Sequence, residues 1–137
     1  MKKLLLILTL SILSIGCTKD EQPIIETFKK DLSKPFTLEI VSEEVRTNSG
    51  EWSVKRYPAQ SIEWNPLTKE ITLVYSDRVK VYNNCNIYSP ENLITFEEIV
   101  SLNNILCFHQ VDFNDPDKVL QVINIGNGTT EIKYSLR

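Results

Sequence analysis

Three kinds of apolar pattern follow one another along the chain. Leu4 to Ile15 is an almost unbroken apolar run behind Lys2 and Lys3. Ile24, Ile25, Phe28 and Leu32 then recur three, four and seven apart between Pro23 and Pro35, which predicts a short amphipathic helix within residues 24–34. From Pro35 the period falls to two. Phe36, Leu38 and Ile40 alternate with Thr37 and Glu39, and Val41 and Val45 then shift the phase, as a β-bulge or a register change does. Asn48-Ser49-Gly50 supplies a turn, after which Trp52 and Val54 alternate with Ser53 and Lys55 as far as Pro58, so the two segments are expected to form a hairpin.

The alternation continues through Ile62–Trp64, Ile71–Tyr75, Val79–Val81, Leu93–Phe96, Ile105–Phe113, Val119–Ile125 and Ile132–Leu136. Asn65-Pro66, Ser76-Asp77 and Gly126-Asn127-Gly128-Thr129 act as turn signals between them. About eight strands at a spacing of roughly 8–14 residues, with no helical stretch long enough for a parallel crossover, predict a mainly β fold. The expected form is a small antiparallel β-sandwich or barrel-like domain with a short N-terminal helix. Asp115 and Pro116 leave residues 115–124 open to a helix, against which Val119, Val122, Ile123 and Ile125 argue for a strand. The chain has 137 residues, 42% apolar and 24% charged, which suits one globular domain, placed at residues 24–137.

The N-terminal run changes the picture of where this domain works. Twelve residues as a helix span about 18 Å, short of the roughly 20 residues that cross a bilayer core, so residues 1–16 read as an export signal peptide. Leu13-Ser14-Ile15-Gly16-Cys17 resembles a lipobox, with Leu13 one place earlier than that motif usually has it. The resemblance implies a bacterial lipoprotein in which Cys17 is lipidated, for instance with palmitate, and starts the mature chain. Several acyl chains hold a protein to a membrane lastingly where one does so reversibly. Residues 17–23 then serve as a polar, flexible tether closed by Pro23. Lys19-Asp20-Glu21 resembles the signal that sends lipoproteins to the outer face of the outer membrane, so surface exposure is favoured over a periplasm-facing position. Residues 17–137 keep all 18 acids and 13 of the 15 bases, a net charge of −5, and such a field does not draw the domain to nucleic acid.

Beyond Cys17 two cysteines remain, Cys85 and Cys107, and in an oxidising compartment they are expected to pair as a disulfide. The stretch containing them has Ile71-Thr72-Leu73, then Val79-Lys80-Val81-Tyr82-Asn83-Asn84-Cys85-Asn86, Tyr88, Leu93, Thr95-Phe96 and Cys107. It resembles the META-type domains of exported bacterial proteins, with Asn84 where those domains carry glycine. That resemblance implies a compact β-rich envelope or stress-associated module and no particular chemistry.

Catalytic signals are sparse. His109 is the sole histidine and lies in phase with Ile105, Cys107, Val111 and Phe113, which makes it a packed residue before a catalytic one. No Gly-x-Ser-x-Gly elbow or Gly-rich phosphate loop occurs. Asp112, Asn114, Asp115 and Asp117 lack EF-hand spacing and read as Asx turns around Pro116, so no metal and no cofactor is expected. Glu43-Glu44 and Glu97-Glu98 are adjacent pairs that point to opposite faces of a strand and read as solvated charges. Trp52 and Trp64, with Tyr57, Tyr75, Tyr82 and Tyr88, are either core or an exposed aromatic platform for a glycan or a protein partner. The expectation is thus a non-catalytic binding or accessory module, membrane-attached through Cys17, on the outer membrane of the cell envelope. The competing readings are a small envelope hydrolase using dispersed carboxylates or His109, and a periplasmic inhibitor or stress-associated protein.

Overall fold

The computed structural model describes residues 28–100 and 103–137 of the chain, and among these every regular element is a β-strand. In chain order the strands are β1 (Phe36–Thr47), β2 (Ser53–Val54), β3 (Ser61–Asn65), β4 (Glu70–Val74), β5 (Val79–Tyr82), β6 (Asn86–Tyr88), β7 (Leu93–Val100), β8 (Ile105–Asp112), β9 (Lys118–Ile125) and β10 (Gly128–Leu136). The mainly β, antiparallel expectation holds. Residues 28–34 form no helix, with a turn at Leu32-Ser33, and the remainder of the expected helix, 24–27, lies outside the described residues.

All ten strands belong to one sheet, ordered β5-β4-β3-β1-β10-β9-β8-β7-β6, with β2 also on β1. β1 is the spine. Its first half pairs with β3, Phe36 opposite Trp64, its second half pairs with β2, and its other edge runs along β10 from Ile40 to Thr47. A register shift between Ile40 and Ser42 falls where the phase change at Val41 predicts a bulge or a register change. It puts Glu43 on the inward face, opposite Tyr134. The β1–β2 turn forms around residues 48–50, but the positive φ angles fall on Asn48 and Ser49 and not on Gly50. At the β9–β10 turn the positive φ is at Gly126. Residues 118–125 are strand, and Asp112 and Asp115 close Asx turns onto the N–H groups of Asn114 and Asp117.

The sheet curls back on itself. Its two edge strands, β5 and β6, follow each other in the chain, and β5 side chains reach those of β7 and β8 across the gap. The Tyr82 ring lies 4.5 Å from that of Phe96 and 5.3 Å from that of His109, and Lys80 Nζ lies 3.5 Å from Glu98. One core fills the inside, with Ile62, Trp64, Ile71 and Leu73 from β3 and β4 packed with Ile94, Val111, Val119 and Tyr134 from the other half.

The two ends of this roll differ. At one, Trp64 Nε1 donates to the Leu32 carbonyl at 2.8 Å, Phe36 meets Phe113 edge-on at 5.1 Å, and Asn92 Nδ2 donates to the Lys30 carbonyl at 3.0 Å. The segment after residue 28 therefore closes that end. At the other, where β7 ends and β8 begins, inward positions stay partly open. Val100, Ile105 and Ile125 share the face of Phe96, His109 and Gln121, yet are 42%, 40% and 39% exposed.

Candidate functional site

A diagonal row of polar side chains crosses the interior between these ends. The Tyr134 hydroxyl on β10 donates to Gln121 Oε1 on β9 at 2.9 Å, Gln121 Nε2 lies 3.0 Å from His109 Nδ1 on β8, and His109 Nε2 lies 3.2 Å from Glu98 Oε2 on β7. Lys80 on β5 completes the row against the other oxygen of Glu98. Each step within the sheet joins residues two places off direct register: Gln121 faces Ile132, and His109 faces Ile123 and Phe96. Diagonal neighbours at this offset are within reach of long side chains.

The carboxylate of Glu98 fixes the proton order, which the heavy atoms alone leave to assignment. A lone pair on Nε2 facing that carboxylate would be repelled, so Nε2 carries the proton and Nδ1 accepts from Gln121. The Nε2–H and the carboxylate are close but poorly aligned, and among the described residues this nitrogen is the buried side-chain polar atom without a hydrogen-bond partner. Burial of the ring, stacked 4.4 Å from Phe96, drives the His109 pKa below its ordinary value; Glu98 pulls it upward and Lys80 adds to the lowering. Burial raises Tyr134 well above the usual tyrosine range, and Glu43 raises it further. Lys80 ends above its ordinary value: burial lowers it, but Tyr82 and Glu98 together outweigh that.

Glu43 extends the polar interior into β1. Its carboxylate is fully buried, bonded to Lys55 Nζ at 2.8 Å and to the Ala59 N–H at 2.9 Å. It is not the solvated charge the sequence suggests. Glu44 faces outward and pairs with Lys133.

The sequence candidates are dispersed. Trp64 is 2% exposed and belongs to the core. Trp52 is half-buried on the outer face, with the Arg46 guanidinium 4.5 Å and Lys133 Nζ 4.7 Å from its ring centre, so the two tryptophans form no common platform. Cys17 lies outside the described residues. The expected disulfide is corrected: Cys85 and Cys107 are buried free thiols. Cys85 directly precedes Asn86, which faces Thr95, while Cys107 faces Glu98, so a whole strand and a two-residue offset separate them. Two strand spacings are about 9.5 Å, beyond the roughly 7 Å that a disulfide bridges. Burial pushes the Cys85 thiol up to about 11.

Lys80, Glu98, Gln121 and Tyr134 were missed as a group because their meeting depends on strand pairing. Gln121 and Glu98 left a trace, polar residues in the apolar phases of Val119 and Ile123 and of Ile94 and Phe96. On the outer face, Ile99, Leu106 and Phe108 line a depression of about 410 Å³ with Asn84, Asn86 and Glu97. Among the described residues no three His, Cys, Asp or Glu side chains are grouped to hold a metal ion. Comparison of the chain with family models, with curated proteins and with solved structures finds no match.

Proposed function

We propose that the chain is a cell-envelope lipoprotein, held to the outer membrane through Cys17, whose β domain is a non-catalytic binding module shaped as an open, barrel-like roll. The observation that carries this reading is the contrast between the two ends. Residue 28 enters where Leu32, Phe36, Trp64 and Phe113 pack together, whereas Val100, Ile105 and Ile125 turn inward at the other end and remain exposed. β7 separates these ends by eight residues, about 26 Å of strand. A tether leaving the closed end turns the open end away from the anchoring membrane, toward whatever the module binds. The ring of His109 supports binding over catalysis: Nδ1 is held by Gln121 and the side chain is 1% exposed.

The test is fractionation of cells producing the full chain or its Cys17→Ala variant, with protease added to intact and to permeabilised cells. The expected result is membrane retention that depends on Cys17 and digestion of the domain from outside. Release-resistant Cys17→Ala protein overturns the lipid anchor, and protection until the outer membrane is opened overturns the surface position.

A further inference from the structure

The open end has a floor as well as a rim. Beneath Val100 and Ile105 stand Lys80 and Glu98, whose side chains are 44% and 33% exposed, and behind them lies the His109 Nε2–H, buried and without a hydrogen-bond partner. That N–H faces Glu98 Oε2 at 3.2 Å without a hydrogen bond, and an acceptor atom entering from the open end beside Glu98 gives it one. Lys80 brings further N–H donors to the same place, while its charge is already matched by Glu98.

On the reading of the domain as a binding module, we propose that this end binds a small amphiphile with one apolar chain and an uncharged, hydrogen-bond-accepting head. Val100, Ile105 and Ile125 take the chain, and Lys80 and the His109 Nε2–H take the oxygen of the head. The charge balance selects the head: a carboxylate meets Glu98, and an ammonium meets Lys80. Rim and floor together have the usual make-up of a small-molecule site, apolar walls around a few placed polar groups. The outer depression at Ile99, Leu106 and Phe108 lacks the second element, since no buried polar atom without a partner points into it.

Photo-crosslinking on membranes carrying the full chain tests this, with ten-carbon diazirine probes ending in a hydroxyl, a carboxylate or an ammonium group. The hydroxyl probe is expected to label the β7–β8–β9 tips at least tenfold more than either charged probe. Ile105→Glu should abolish that labelling and Phe108→Glu should leave it unchanged. Glu98→Gln, which frees Lys80, should raise labelling by the carboxylate probe at least tenfold. Equal labelling by all three probes, labelling lost in Phe108→Glu but kept in Ile105→Glu, or no labelling of the chain overturns the proposal. Because retention on the membrane is read in the same samples, failure of the ligand assignment and failure of the lipoprotein reading are distinct outcomes.

Discussion

His109 shows how one residue's surroundings set a property of the whole fold. The ring stacks on Phe96 and tilts toward Tyr82, its Nδ1 accepts from Gln121, and Glu98 and Lys80 face Nε2. Burial holds its pKa below the ordinary 6.5. The unfolded chain therefore takes up a proton below 6.5 that the folded chain refuses. Stability is full above that value and falls as pH drops through it toward the folded pKa, by at most about 1.4 kcal/mol per unit. Urea midpoints between pH 7.5 and 5 should show this decline, and His109→Gln should flatten it. Glu131, held low by its hydrogen bond to Arg46, loses its contribution only below its ordinary 4.5, so the two effects separate in pH. An equal decline in the variant would assign the acid sensitivity to other groups.

At the scale of elements, the segment after residue 28 acts as a plug through a few contacts, of which Trp64 to Leu32 is the most direct. Replacing Trp64 by Phe removes the indole donor, leaves the Leu32 carbonyl without its partner and opens space in the core, at about 2–4 kcal/mol. Trp52→Phe alters a half-buried ring that touches two surface cations and should cost below about 1 kcal/mol. Similar losses for both, measured by urea unfolding, would mean that Trp64 does not pin the plug. The longer strands were legible because they keep one face to the core, so that Ile62 and Trp64, or Ile71 and Leu73, announce themselves at period two. β6 was not, since three residues cannot display a period. The register shift was visible at Val41, but its consequence, the inward turn of Glu43, needs the register with Tyr134. The cysteine pairing failed for the same reason: Cys85 and Cys107 are placed by neighbouring strands and not by their spacing in the chain.

For the molecule as a whole, the strand order makes stability uneven. β10 lies between β1 and β9 and pairs with both along most of its length, whereas β5 and β6 each have one paired edge, and β5 reaches β7 and β8 only through the side chains of Lys80 and Tyr82. A roll held this way should open from the β5–β6 gap while its middle stays closed, because an edge strand can leave without breaking two ladders. That gap also holds the Lys80–Glu98 contact, so the least protected part of the sheet borders the polar floor of the open end. Native-state hydrogen exchange, followed residue by residue, should find β6 and β5 amides exchanging first and those of β10 last, at a rate set by global unfolding. Lys80→Met, which removes the ion pair across the gap, should speed exchange in β5 and β6 and leave β10 nearly unchanged. Protection of β6 as strong as that of β10 would mean instead that the two edges are joined and the roll opens and closes only as one unit.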